Sequence, residues 1–249
     1  MKMQILDANY KYDNKRNPVI QLFGKLSDGT SIIKKITNFR PYFYCGLSRE
    51  AAVEEVKDEL RNMGVDVEEV QRYEPIGYQT SKKLMLKVIA IDPKEVRSLR
   101  ERVKKINGIE EVFETDILFR NRFLIDKNLG GMKWAEVPNQ EEFTESEIKS
   151  LEIKENVPLR LMSIDIECLP KQNGAMPTSS EDPIILTSLA FSEAYNETTN
   201  LVLVGKLTNL SSKNTLSFAN ESELLENLML IIEDYDPDII VGYNSNEFD

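Results

Sequence analysis

The sequence predicts a mixed α+β / α/β chain, rich in strands and divided into two parts. Three observations lead there. The first 40 residues alternate apolar and polar positions between turn signals. Residues 40 to 118 then carry helical and strand periodicity in the order β-α-β-β-α-β. After residue 158, three apolar strands are followed by an amphipathic helix and a last apolar strand, which makes a mixed sheet with a helix on one face.

Taken in order, "MQILDANYKY" and "NPVIQLFGKLSDGTSIIKKI" read as short strands joined by turns at Asp13-Asn14 and Asp28-Gly29. "RPYFYCGL" is a strand, and "SREAAVEEVKDELRNMG" a helix capped by Ser48 and stopped by Gly64, with Ala52, Val53, Val56 and Leu60 along its apolar stripe. "VDVEEVQRY" and "KLMLKVIAI" are strands. Asp92-Pro93 opens a second helix through Ile106, and "EEVFETDIL" is the closing strand. This completes the ferredoxin-like βαββαβ unit. Residues 134–157 are polar and acidic, and predict a linker with a short helix over 144–151. Beyond them "PLRLMSIDIECL", "PIILTSLAFS" and "NLVLVGKL" are strands. Residues 221–234 form a helix with Leu224, Leu225, Leu228, Ile231 and Ile232 facing inward, and "PDIIVGYN" is a buried strand.

Composition narrows the chemistry. Apolar residues make up 41% of the 249 and charged residues 29%, as in soluble globular chains. No apolar run reaches the roughly 18–20 residues that span a bilayer, and the N-terminus has no cleavable leader pattern. Two cysteines without a CxxC pair fit a reducing, cytoplasmic setting. The absence of histidine removes the commonest general base and most zinc sites, leaving carboxylates, lysines, tyrosines or a bound metal; a carboxylate site with magnesium needs no histidine. The net charge of −11 is unevenly spread. Residues 1–130 hold 24 basic against 20 acidic side chains, and residues 131–249 hold 7 against 22. The first part suits contact with phosphates; the second would repel them unless cations intervene.

In "LMSIDIECLP", Asp165 and Glu167 interrupt an apolar strand two residues apart, and so share a face. Carboxylates in such a run need partners, and a divalent cation is one. The spacing is weak evidence alone, because Asp66-Val67-Glu68 repeats it in a polar strand. The second element is "VGYNSNEFD", a strand that empties into Asn244, Phe248 and Asp249. As turn formers and a helix cap these residues need no function. At a sheet edge, Asp249 can join Asp165 and Glu167.

With both elements in place, the chain resembles the N-terminal portion of an archaeal family B DNA polymerase. "SIDIE" and "YNSNEFD" resemble that family's first and second exonuclease motifs. "ILDANY", "PVIQLFGK", "FRPYFY", "LRERVKKI", "VFETDILFRNRFLID" and "DPDIIVGYN" resemble their counterparts. The resemblance implies a template- and uracil-binding domain at 1–133, the linker at 134–157, and an incomplete RNase H-like 3′–5′ exonuclease domain at 158–249. It implies that Asp165, Glu167 and Asp249 hold two Mg²⁺ or Mn²⁺ ions for proofreading hydrolysis, with Asn244 and Phe248 positioning the primer 3′ end. It further implies a uracil pocket from Tyr10, Pro41, Tyr42, Pro93, Val96, Arg100, Phe119 and Arg122, in which the arginines hold phosphates; packing is the other reading of these residues. The family's third motif, Tyr-x-x-x-Asp, is absent, as are its polymerising domains. The implied partners are therefore DNA, the rest of the polymerase in cis or as a second chain, and a sliding clamp through that missing part. Little nuclease activity is expected of this chain alone. A binding-only subunit or regulator and a freestanding exonuclease are the alternatives.

Overall fold

Apolar alternation in the first 37 residues produces three long antiparallel strands, β1 (Lys2–Tyr12), β2 (Pro18–Leu26) and β3 (Ser31–Thr37). The computed structural model describes residues 1–75, 77–170, 177–209 and 212–243. It divides into two units, Met1–Val157 and Pro158–Asp249. Gly24 is required where β2 crosses β1, because a Cβ there would lie 2.1 Å from the Gln4 carbonyl oxygen.

The ferredoxin-like unit follows. Strands β4 (Tyr42–Leu47), β5 (Asp66–Arg72), β6 (Lys83–Ile89) and β7 (Ile109–Phe113) make an antiparallel sheet in the order β5-β6-β4-β7. Helices α1 (Val53–Asn62) and α2 (Val96–Val103) cover one face, with Val56, Leu60, Leu99 and Val103 packed on Phe43, Cys45, Leu86 and Val88. The other face contributes Tyr42, Tyr44, Met85 and Phe113 to a core shared with β1, β2 and β3.

Several boundaries differ from the sequence reading. Ser48 does not cap α1: the cap position is Ala52, and the Ser48 amide is engaged by the Gly108 carbonyl at 3.0 Å. Helix α2 stops at Val103, short of Ile106. The strand expected through residue 118 ends at Phe113. Glu114 turns the chain at φ 61° into a further helix, α3 (Phe119–Asp126), which buries Phe119, Arg122 and Phe123.

The segment 134–157 is no free linker. It supplies β8 (Trp134–Glu136), β9 (Glu142–Thr144) and β10 (Lys149–Leu151), which pair with β1, β3 and β8 respectively. The result is a six-stranded sheet, β10-β8-β1-β2-β3-β9. In place of the helix over 144–151 stands one 3-10 turn, Glu145–Glu147, closed by a capping box between Thr144 and Glu147. Two buried polar side chains fasten the segment. The Lys34 ammonium, 2% exposed, donates to the carbonyls of Asn139 (3.0 Å) and Gln140 (2.8 Å). Gln4, fully buried, donates to the Met132 carbonyl and the Asn156 side chain, and accepts from the Val157 amide at 2.8 Å.

The second unit is a mixed sheet, β14-β13-β12-β11-β15. Its strands are β11 (Leu161–Cys168), β12 (Ile184–Tyr195), β13 (Thr198–Val204), β14 (Thr215–Ser217) and β15 (Ile239–Val241). β12 runs antiparallel to β11 and β13, whereas β15 is parallel to β11. Helix α4 (Glu221–Tyr235), capped by Asn220 on the Glu223 amide, packs Leu224, Leu228, Ile231 and Tyr235 against Met162, Leu189, Phe191, Leu201 and Leu203. Leu225, expected inward, is 38% exposed. β15, expected buried, leaves Ile239, Ile240 and Val241 exposed, because among the described residues it pairs only with β11. No described helix is long and apolar enough to cross a membrane.

Removing the Gln4 amide orphans the Val157 N–H and the Met132 carbonyl together. Gln4→Ala is expected to cost about 1–3 kcal/mol, read by urea unfolding, with faster amide exchange at Val157.

Candidate functional site

One cavity of about 360 Å³ opens in the first unit. Its walls come from five places: Asn9 and Tyr10 of β1, Pro41 and Tyr42 at the start of β4, Pro93 with Val96 and Arg97 of α2, residues 114–118, and Phe119, Arg120 and Arg122 of α3. Local chemistry sets each wall. Asp92 accepts from the Lys94 amide and so starts the turn that presents Pro93 and Val96; its carboxylate also accepts from the Tyr12 hydroxyl at 2.5 Å. Tyr10 meets Phe119 edge to face at 5.2 Å, and Phe119 lies 5.4 Å from Phe39.

Seven of the eight residues expected in a uracil pocket line this cavity: Tyr10, Pro41, Tyr42, Pro93, Val96, Phe119 and Arg122. The eighth, Arg100, does not; it pairs with Glu101 at 2.7 Å. Arg122 departs from its expected role. Its side chain is 5% exposed, bound to Glu114 at 2.5 Å and to the Glu114 carbonyl, and lies 4.7 Å over the Tyr42 ring. A guanidinium so enclosed does not reach phosphates in solvent. Burial works against its charge, but Glu114, Tyr42 and Asp126 outweigh burial and raise its pKa. Arg97, exposed, and Arg120, half-buried, are the cations at the rim, and both were missed in the sequence. Their only sequence signal is position, beside Val96 and Phe119.

Tyr42 is the most constrained wall residue. Its hydroxyl donates to Asp126, with both carboxylate oxygens at 2.7 Å, and its ring lies between Lys87 (4.4 Å) and Arg122. Burial first, then the Asp126 hydrogen bond and charge, push the phenol pKa far up, so it remains a neutral donor.

In the second unit, β11 alternates as its sequence requires. Met162 is buried beneath α4, whereas Ser163, Asp165 and Glu167 are exposed on the opposite face. Asp165 sits opposite Ser188 and Glu167 opposite Leu186, and the β11–β12 register shifts just after Glu167. Neither carboxylate has an ion pair among the described residues. The decoy behaves otherwise: Asp66 is paired with Arg40, and Glu68 with Lys87 at 3.3 Å. Asn244, Phe248 and Asp249 lie outside the described residues. Among the described residues no three acidic or cysteine side chains gather as a metal cage. Asp165 and Glu167 nonetheless have the oxygen donors, exposure and shared face that a hard divalent cation needs.

Truncating Glu114 would strand a buried cation. Glu114→Ala is expected to destabilise the first unit by about 3 kcal/mol, more than Arg122→Met does, measured by urea unfolding.

Comparison with known proteins places these features in a family. The family model for DNA polymerase family B, exonuclease domain, matches residues 110–249. DNA polymerase 2 of Aeropyrum pernix is 28% identical over 271 residues, covering all of this chain and 31% of that protein. The DNA polymerase delta catalytic subunit of Arabidopsis thaliana is 27% identical, covering 93% of this chain and 25% of that one. The solved family B DNA polymerase of the hyperthermophilic archaeon Pyrobaculum calidifontis superposes with a TM-score of 0.77 at 26% identity, over all of this chain and 31% of that one. The chain thus spans about a third or less of the length of these relatives. It belongs to DNA polymerase family B, and corresponds to the N-terminal and exonuclease region of that family.

Proposed function

We propose that this chain is the N-terminal portion of a DNA-directed DNA polymerase, in which residues 1–133 bind template DNA and sense uracil, and residues 158–249 contribute to 3′–5′ proofreading. The observation that carries the first role is the gathering of seven expected residues around one cavity of about 360 Å³, at the small end of the roughly 300–1,000 Å³ of ligand sites. Tyr10, Tyr42, Val96 and Phe119 offer a flat apolar slot to a base. Arg97 and Arg120 at the rim take the phosphate contacts first assigned to Arg100 and Arg122. Discrimination against the extra methyl of thymine would come from steric overlap with these apolar walls.

For the second role, Asp165 and Glu167 of β11 supply two carboxylates, and Asp249 the third. Hydrolysis of the terminal phosphodiester forms a bond from a water oxygen to phosphorus and breaks the bond to the primer O3′, which leaves and takes a proton. Bound magnesium or manganese supplies charge neutralisation and a water of lowered pKa in such a site. The chain's own residues hold the cations and present the strand end, with Asn244 and Phe248 positioning the last nucleotides. The family's third motif, supplied by the remainder of a polymerase in cis or as a second chain, completes this donor set, and residues 1–249 by themselves are weakly active or inactive.

At matched salt, a uracil-containing single strand is expected to bind about tenfold more tightly than its thymine counterpart, measured by fluorescence anisotropy; equal affinities would refute the pocket. Mn²⁺ is expected to bind weakly and to lose that binding in the Asp165→Ala, Glu167→Ala double variant. An unchanged metal titration would remove these residues from the site.

A further inference from the structure

The cavity's far wall is carried by a helix with little to hold it in place by itself. Helix α3 has eight residues and no side-chain cap at its N-terminus, and isolated helices of that length are not stable. Its position is set by what it touches. Phe119, Arg122 and Asp126 stand at i, i+3 and i+7, along one side of the helix. Phe119 and Arg122 line the cavity, and Asp126 lies one turn beyond it.

Two polar contacts join this side to the rest of the unit. Arg122 is bound to Glu114, eight residues earlier in the chain, which ties the helix to its own approach loop. The contact between Asp126 and the Tyr42 hydroxyl is different in kind. It spans 84 residues and joins α3 to β4, two walls of the same cavity that Arg122 also links by lying over the Tyr42 ring. The Tyr42 ring is also held from outside α3, by the Lys87 ammonium of β6 at 4.4 Å.

We propose that Asp126 is a positioning residue for the base slot: by accepting the Tyr42 hydroxyl it sets the distance between α3 and β4, and so the selectivity of the slot for a pyrimidine without a 5-methyl group. This rests on the base-reading role proposed above. Asp126 need not touch the base. Its effect falls on discrimination, because a methyl group is sensed only by a wall that does not yield. Phosphate contacts at Arg97 and Arg120 are untouched by it, so the affinity common to all strands is preserved.

The test uses the whole chain and three variants. Tyr42→Phe removes only the hydroxyl, Asp126→Ala removes the acceptor, and Asp126→Asn keeps an acceptor oxygen in place. Hydrogen exchange over residues 119–126, measured without DNA, is expected to rise in Tyr42→Phe and Asp126→Ala and to stay near the wild-type rate in Asp126→Asn. The ratio of uracil-strand to thymine-strand affinity is expected to fall about fivefold in the first two variants, the scale of one ordinary intramolecular hydrogen bond, and to be largely rescued by Asn. Unchanged exchange in both disabled variants would overturn the anchor. Raised exchange with an unchanged ratio would overturn the selectivity role. Equal affinities in the wild type would bring down the base-reading proposal instead, and the exchange measurement then decides the anchor by itself.

Discussion

A guanidinium taken out of water must find its counter-charge inside the protein, and much of the first unit is arranged around that demand at Arg122. Glu114 meets it from the loop after β7, Tyr42 offers the face of its ring, and Asp126 adds charge from the same helix. Each partner is thereby fixed. The turn at Glu114 aims the chain into α3, Tyr42 stands upright between two cations, and Phe119 is delivered to the cavity wall. A buried charge that earns little stability by itself here specifies one arrangement of three segments, β4, the loop after β7 and α3.

The same rule, applied to carboxylates, separates the two D-x-E sequences. Asp66 and Glu68 lie in a strand whose neighbours bring Arg40 and Lys87 to them, so their charges are neutralised within the protein. Asp165 and Glu167 lie on a strand flanked by Ser188, Leu186 and the apolar β15, none of which is a cation. Spacing alone did not distinguish the pairs. The partner strands do, and those become visible only when pairing and register are known.

The elements with strong periodicity were legible. The ferredoxin-like unit, its strand count and the capping Asp92 follow from alternation, amphipathic helices and turn chemistry, and β11, β12, β13 and α4 from apolar runs of sufficient length. What was not legible depends on distant partners. β8, β9 and β10 have three residues each, too few for any period, and they exist because β1 and β3 offer open edges. Their polar sequence therefore read as linker. The burial of Lys34 and Arg122 was equally hidden, since their partners are backbone carbonyls at Asn139 and Gln140 and a carboxylate at Glu114. At the candidate pocket the wall residues came from resemblance, and the sealing of Arg122 required the fold.

The uneven charge of the chain now has a local meaning in each unit. In the first unit several cations are already committed: Arg40, Lys57, Lys87, Arg122 and Lys127 all serve carboxylates. The slight basic excess therefore says less about phosphate contact than the two arginines at the cavity rim, Arg97 and Arg120. In the second unit the acidic excess is spread over the surface, yet on β11 it is concentrated into two carboxylates projecting from an otherwise uncharged strand face. Net charge counts both situations alike. Anion recognition in one unit and cation recognition in the other depend instead on where individual charges stand, at a cavity rim or on one strand face, rather than on their sum.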